Sequence, residues 1–458
     1  MQNIKPLFSL VITLFCSIVS FGQAKKWTLE ECVTYAIQNN ISIKQVALDK
    51  QLSDISKKDA IGKFLPSINA QASHSWNIGL NQNITTGLLE NQTTQFTSAG
   101  VNVGVDIYKG LQNQNQLRKA NLSRIASQYQ LTKMQEDVSL NVANAYLQIL
   151  FNKENLKVQQ QQLVYDTKQL ERTNELVEAG VIPRGDLLDV KATVATDNQR
   201  LIAAENALFL SKLSLAQLLQ IDNFQEFDIS DAEIPVQESI VLGQEPKAIF
   251  TKAKETRTDL KIAQTNVQIA EKDIKIARGG YQPNLQGFYG FSSRVGYADR
   301  VIGVDAGGNP IKAAPLPFFD QFSNNKGHNF GLSLSVPILN GFSARNNVAR
   351  SKIALDRSKI NLQQQELDLE RTVFTAYTDT KGAQKAYEAA VSTVEAREKS
   401  FNYAKERYEV GLMNVFDFNQ AQTLFVNAQS DVLRTKYDYI FRTKILEFYF
   451  GIPIIKKQ

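Results

Sequence analysis

From Leu111 to Ala179 the chain contains neither glycine nor proline. Within that stretch apolar residues recur at every seventh position, Ile149, Leu156, Leu163, Leu170 and Val177, which is the period of a coiled coil. The pattern predicts one helix of about 67 residues, about 100 Å long at 1.5 Å per residue. An average globular helix has only about three turns. Beyond Gly180 the seam resumes at Leu187, Val194, Leu201, Leu208 and Leu215. It returns later at Tyr387, Val394, Phe401 and Tyr408, and again at Phe418, Phe425, Val432, Tyr439 and Leu446. Between the seams the faces are rich in uncharged polar residues, such as Gln159 to Gln162 and Gln363 to Gln365. Such faces suit a helix wetted on one side and packed on the other.

The second occurrence is part of a tandem repeat. Lys63-Phe64-Leu65-Pro66-Ser67-Ile68 lies over Gly280-Tyr281-Gln282-Pro283-Asn284-Leu285, 217 residues on. The offset then becomes 231, with Val105-Asp106-Ile107-Tyr108-Lys109-Gly110 over Val336-Pro337-Ile338-Leu339-Asn340-Gly341 and Gly180 over Gly411. The extra residues of the second copy therefore fall between its two strands. Each copy reads helix, strand, loop, strand, long helix, turn, helix. The expected organisation is an export signal at 1–22, a first repeat at 23–221, an acidic linker or side-packed segment at 222–244, a second repeat at 245–452 and a polar tail at 453–458. Lys5, the apolar run from Leu7 to Phe21 and Ser20-Phe21-Gly22 carry the signal reading.

The strand segments, about 66–80, 97–108, 284–297 and 328–338, alternate. Ile68, Ala70, Ala72, His74, Trp76, Ile78 and Leu80 share one face, with Asn69, Gln71, Ser73, Ser75 and Asn77 on the other. Val101, Val103, Val105 and Ile107 continue the apolar set, as do Phe330, Leu332, Leu334, Val336 and Ile338. At about ten residues each, they have the length of tilted transmembrane strands. Trp76, Val101, Val103, Leu332 and Leu334 are the residues expected to face lipid. Four strands leave two open edges, and each unpaired edge group would cost several kcal/mol in hydrocarbon. Two chains would give eight strands and a filled barrel, whereas three would give twelve and room for water. The polar inward faces favour three. The expected fold is mainly α with a membrane β-barrel portion, built as a trimeric conduit.

Composition excludes much else. With 2 His and 2 Cys in 458 residues, no zinc ribbon, thiol pair or multi-histidine centre can form within one chain. There is no H-E-x-x-H, C-x-x-C or Walker loop, so neither an enzyme activity nor a cofactor is expected. His74 and His328 sit in or beside strands and read as structural. Loss of Lys5 with the signal lowers the net charge from +5 to +4, too little for a nucleic-acid partner without a basic stripe. Cys32 reads as a small apolar residue on a helix.

The order of elements, the duplication, Val336-Pro337-Ile338-Leu339-Asn340-Gly341 opening a long helix and Arg407-Tyr408-Glu409-Val410-Gly411-Leu412 at its far end resemble the TolC family of outer-membrane efflux proteins. The resemblance covers the mature chain. It implies a homotrimer with a twelve-stranded outer-membrane barrel and an α-helical periplasmic tunnel, docked to a periplasmic adaptor and an inner-membrane pump. It further implies that the tips Gly180, Val181, Gly411 and Leu412 meet the adaptor, and that Tyr408 lies in a closed periplasmic constriction. Asp186, Asp189 and Asp417 sit just beyond the turns. There they complement a helix dipole, and in a threefold tube each would form a cation-concentrating ring. They are the further gate candidates. Gln420 stands where the family pattern has an acid, and Met413 where a member can carry a basic latch residue. The leading reading is a passive exit duct for small molecules in a tripartite efflux system. The alternatives are the outer-membrane component of a type I protein secretion system and, from another class, an exported coiled-coil adhesin or spacer. A spacer gains nothing from four alternating segments at matched points. The segments 80–95 and 298–327 are the expected outer loops.

Overall fold

The computed structural model describes residues 26–82, 87–231, 235–236 and 239–454. The expected signal at 1–22 and the last four residues of the tail lie outside them, as do 83–86 in the first strand connection and parts of the acidic segment. In chain order the elements are β1 (Lys26–Trp27), α1 (Leu29–Asn39), α2 (Ile41–Gly62), β2 (Ser67–Gln82), β3 (Leu89–Lys109), α3 (Gln112–Glu178) and α4 (Arg184–Leu219). There follow β4 (Asp228–Ile229), α5 (Pro246–Thr256), α6 (Thr258–Arg278), β5 (Asn284–Gly296), β6 (Arg300–Val304) and β7 (Pro310–Ala313). The chain ends with α7 (Phe318–Asn324), β8 (Gly327–Ser335), α8 (Ser343–Glu409) and α9 (Val415–Phe450).

The duplication is written into the backbone. A helix of 67 residues followed by one of 36 occurs twice, as α3 with α4 and as α8 with α9. Left-handed residues recur at the 231-residue offset: Gly110 and Gly341 (φ 55° and 56°), Leu111 and Phe342 (59° and 62°), Gly180 and Gly411 (71° and 76°), and Gln220 and Gly451 (61° and 98°). Positive φ is costly for a residue with a Cβ. That Leu111 and Phe342 both adopt it shows the same strand-to-helix turn repeated in each copy.

One compact unit comprises residues up to 49, 128–261 and from 363 onward. Thr28 opens α1 with a capping box, its hydroxyl accepting from the Glu31 N–H while the Glu31 carboxylate accepts from the Thr28 N–H. This directs Cys32, Val33 and Ala36 into a core with Val142, Tyr146 and Ile149 of α3, Leu215 and Leu219 of α4, Ile229, and Tyr437 and Ile440 of α9. β1 and β4 pair in parallel, Lys26 with Asp228 and Trp27 with Ile229. The acidic segment is anchored here by lysines. Lys153 bridges Asp228 and Asp231 at 2.8 Å each, Lys212 reaches Asp228 at 2.9 Å and Lys26 pairs with Asp231. Hydrogen bonds from Lys153 and Lys26 hold the Asp231 carboxyl down at about 2.

Every seam residue from Ile149 to Leu446 is buried or half-buried. The sequence pattern misses a second set. In α3 the residues three positions after the seam, Asn152, Gln159, Asp166 and Thr173, are all buried although polar, and are packed more tightly than Leu156, Leu163 and Leu170. Two of them reach other helices directly: Asn152 Nδ2 donates to the Ala207 carbonyl of α4 at 3.1 Å, and Gln422 of α9 donates to Asp166 at 2.6 Å. The long helices thus pack through one apolar and one polar core position per heptad. Only part of the Gln-rich face is wetted. Gln160 and Gln161 are exposed, while Gln159 is internal.

The other unit, 50–127 with 262–362, contains an antiparallel sheet of order β2-β3-β5-β8. β3 begins at Leu89 rather than near residue 97, because Leu89 to Thr97 stay in register opposite Gln82 to His74. Much of the expected 80–95 loop is therefore strand. β8 ends at Ser335, two residues before Pro337, which has no N–H for the ladder. The 298–327 segment folds as the β6–β7 ribbon and α7. Among the described residues β2 pairs only with β3 and β8 only with β5.

Replacing Ile149, which is fully buried in the helical core, with alanine is expected to cost about 2–5 kcal/mol. Thermal or denaturant unfolding of the detergent-solubilised protein measures it.

Candidate functional site

The candidate conduit surface lies in the sheet, where residues directly opposite on neighbouring strands share a face. Ile68, Val103, Tyr289 and Phe330 form one row, and Ala70, Val101, Phe291 and His328 the next. Further rows pair Val105 and Leu332 through Gly287, and Leu285 with Leu334. Four of the five lipid-facing candidates, Val101, Val103, Leu332 and Leu334, thus fall on one continuous apolar band. Leu332 and Leu334 are 68% and 65% exposed in the single chain. Trp76 shares the face but lies beyond the band, opposite Gln95 and edge-on to His74 with ring centroids 4.2 Å apart. An indole at that margin suits a membrane–water boundary. There the face turns polar: His74 bonds Thr97 at 2.8 Å, and Thr97 bonds Tyr297 at 2.9 Å. α7 covers the neighbouring part of β5, where Ser293 donates to the Phe322 carbonyl at 2.7 Å.

The opposite face is polar. Asn69, Asn102, Gly290 and Asn329 make one row, and Gln71, Gly100, Ser292 and Gly327 another. Gln286 donates to Asp106 at 2.8 Å. Phe96 and Phe288 depart from the alternation. The Arg294 guanidinium lies 3.6 Å from the Phe96 ring centroid and so presents charge rather than ring to that side.

The helical unit carries the hairpin turns. Each closes with the same capping motif: the N–H of Val181 donates to the Leu176 carbonyl at 2.8 Å, and the N–H of Leu412 to the Arg407 carbonyl at 2.8 Å. The left-handed C′ residue is Gly180 in one and Gly411 in the other. Arg407 reinforces the second turn by donating to the Leu412 carbonyl at 3.2 Å. Both tips end in exposed apolar side chains, Val181 at 67% and Leu412 at 68%, with Val410 and Phe416 exposed beside the latter. Pro183 serves as the N-cap of α4, one place earlier than a first-turn proline.

The gate candidates are placed differently from one another. Asn414 is the N-cap of α9; its Oδ1 accepts the Asp417 N–H at 2.8 Å while its Nδ2 donates to Asp417 Oδ2 at 2.9 Å. Asp417 is thus an exposed carboxylate fixed in the first turn of its helix, where negative charge is favoured. Asp186 is half-buried in the first turn of α4 and Asp189 is exposed one turn later. Tyr408 stacks on the fully buried Phe418 at 4.6 Å and 14°, closing an aromatic column with Phe401 and Phe425. Its ring is a half-buried seam element. Tyr408 and Asp417 therefore flank one turn, and Asp186 and Asp189 follow the other. The polar core positions escaped the sequence reading. Their signal was the heptad itself, advanced by three.

A sheet apolar on one face and polar on the other, carried with two long capped helical hairpins, defines the protomer of a membrane channel. The family model described as outer membrane efflux protein matches residues 33–219 and 249–450. The outer membrane protein TolC of Escherichia coli is 22% identical over 95% of this chain and 84% of its own. The outer membrane efflux protein BepC of Brucella suis is 19% identical over 95% and 88%. Among solved structures, the Campylobacter jejuni CmeC outer membrane channel superposes with a TM-score of 0.77 at 17% identity, covering 94% of this chain and 87% of that one. The chain belongs to the outer membrane efflux protein family, and as a member it is an outer-membrane efflux channel.

Replacing Val103 and Leu334 together with arginine is expected to abolish assembly in the membrane, at about 2–4 kcal/mol for each charge placed at the bilayer midplane. The yield of membrane-extracted oligomer measures it, and wild-type yield would remove both residues from the lipid face.

Proposed function

We propose that three copies of the chain close a twelve-stranded barrel in the outer membrane, with their helices forming a periplasmic tunnel. Together they act as the passive exit duct of a tripartite efflux system. The observation that carries this reading is the sheet: four strands, an apolar band across all of them on one face, polar rows on the other, and two edges without a partner strand among the described residues. Pairing β8 of one copy with β2 of the next satisfies those edges, as hydrocarbon requires. The apolar band then meets lipid and the Asn and Gln rows meet water.

The exposed apolar tips, Gly180-Val181 and Gly411-Leu412, are the docking points for a periplasmic adaptor, which links the duct to an inner-membrane pump. Energy is supplied by that pump. Around the threefold axis Asp417, with Asp186 and Asp189, sets rings of negative charge at the periplasmic entrance, and Tyr408 narrows it. Export to the outer membrane follows from the signal reading of residues 1–22.

Asp417→Asn retains the hydrogen bonds to Asn414 and removes the charge. In planar bilayers the preference for cations over anions is expected to fall by about fivefold, equivalent to about 1 kcal/mol of Coulomb attraction between charges about 4 Å apart in water. An unchanged reversal potential would leave Asp417 with its capping role alone.

A further inference from the structure

Two carboxyls face each other inside the helical unit. Asp166 of α3 and Asp197 of α4 are 2% and 3% exposed, as buried as the core leucines. Both oxygens of Asp166 are occupied: Oδ1 accepts from Gln422 Nε2 of α9 at 2.6 Å, and Oδ2 from Gln162 Nε2 at 2.6 Å. Asp197 differs. Arg200 Nη1 stands 3.6 Å from its Oδ1, and among the described residues no donor reaches its Oδ2. A buried carboxylate oxygen without a donor is costly. A carboxyl that carries its own hydrogen, donated to the carboxylate opposite, removes the cost.

We propose that Asp166 and Asp197 share one proton as a lock that clamps the α3–α4 hairpin to α9, and that loss of this proton loosens the three-helix junction and dilates the duct at that level. The dilation rests on the channel reading above; the lock does not. Burial, and then the bond and charge of Asp166, push the Asp197 carboxyl up to about 8, with Arg200 pulling the other way. From α9 the facing group is the neutral amide of Gln422. Next to Asp166, the Tyr165 phenol is pushed up to about 12, by burial first and then by the Asp166 charge, and so stays neutral across the range. On the α8 side Lys405 lies 5.7 Å from the centroid of that ring. The folded value of Asp197 is raised above the ordinary carboxyl value, so the stabilisation is fully present below about pH 4 and is lost as pH rises through about 8.

The experiment uses the full-length detergent-solubilised protein and its Asp197→Asn variant, in which an amide stands in for the neutral acid. Infrared spectroscopy at pH 6 is expected to show a protonated-carboxyl band that is absent at pH 9 and absent from the variant at both. Spin labels at Asn198 of α4 and Asn427 of α9, both exposed, are expected to move apart between pH 6 and 9, with a midpoint within about one unit of 8. In Asp197→Asn the distance is expected to stay at its pH 6 value throughout. Conductance in planar bilayers follows the same curve, rising with pH in the wild type and flat in the variant. No protonated band at pH 6, or the same distance change in both proteins, overturns the lock. So does a stoichiometric bound cation whose removal, rather than pH, moves the labels. If neither protein conducts at any pH the channel reading fails, and the band and the label distances still decide the lock.

Discussion

Backbone hydrogen bonding at the two free edges of the sheet is the constraint on which the rest of this structure depends. β2 and β8 each present an edge with no partner strand among the described residues. In water such edges invite indiscriminate pairing, and in hydrocarbon they cannot persist. A short, charged edge would blunt them, but β2 runs for 16 residues of mostly uncharged side chains. Joining the edges to other copies, as proposed, puts the apolar band on lipid and the polar rows on water. In the proposed trimer, strand pairing sets the oligomer and the number of strands sets the bore.

The helices obey a different logic. A coiled coil of strict apolar a and d positions is rigid and dry. Here the second core position of α3 is Asn152, Gln159, Asp166 and Thr173, and the opposing α4 positions include Asp197 and Ser211, also buried. Where such a group bonds to a neighbouring helix, as Asn152 and Asp166 do, register becomes specific, while each polar position gives less apolar stabilisation per turn. Helices packed in this way can shift between discrete hydrogen-bonded arrangements. The aromatic column of Tyr408, Phe418, Phe401 and Phe425 lies within the α8–α9 hairpin. It ties α8 to α9 along the hairpin.

Much of the fold was legible in the chain because its signals are periodic and repeated. The glycine-free run from Leu111 to Ala179 gave a 67-residue helix, and the left-handed glycines at 110, 180, 341 and 411 gave the turns, since few other residues tolerate positive φ. Strand ends were less legible. Glu90 to Gln95 is polar on both faces and looks like loop, yet it extends β3 because β2 continues opposite. The site was read unevenly. Val101, Val103, Leu332 and Leu334 followed from alternation, whereas Trp76 sits past the band because its row partner is Gln95. The stacking of Tyr408 on Phe418 and the Asp166–Asp197 pair needed three dimensions, because both depend on which helix faces which. A polar residue three places after a seam leucine is indistinguishable in sequence from one facing water.

The central claim is that the free edges are closed by other copies of the same chain. Native mass spectrometry of the protein extracted in mild detergent from the outer-membrane fraction tests it directly. The account predicts a trimer that needs detergent to remain in solution; a monomer that stays dispersed without detergent would contradict it.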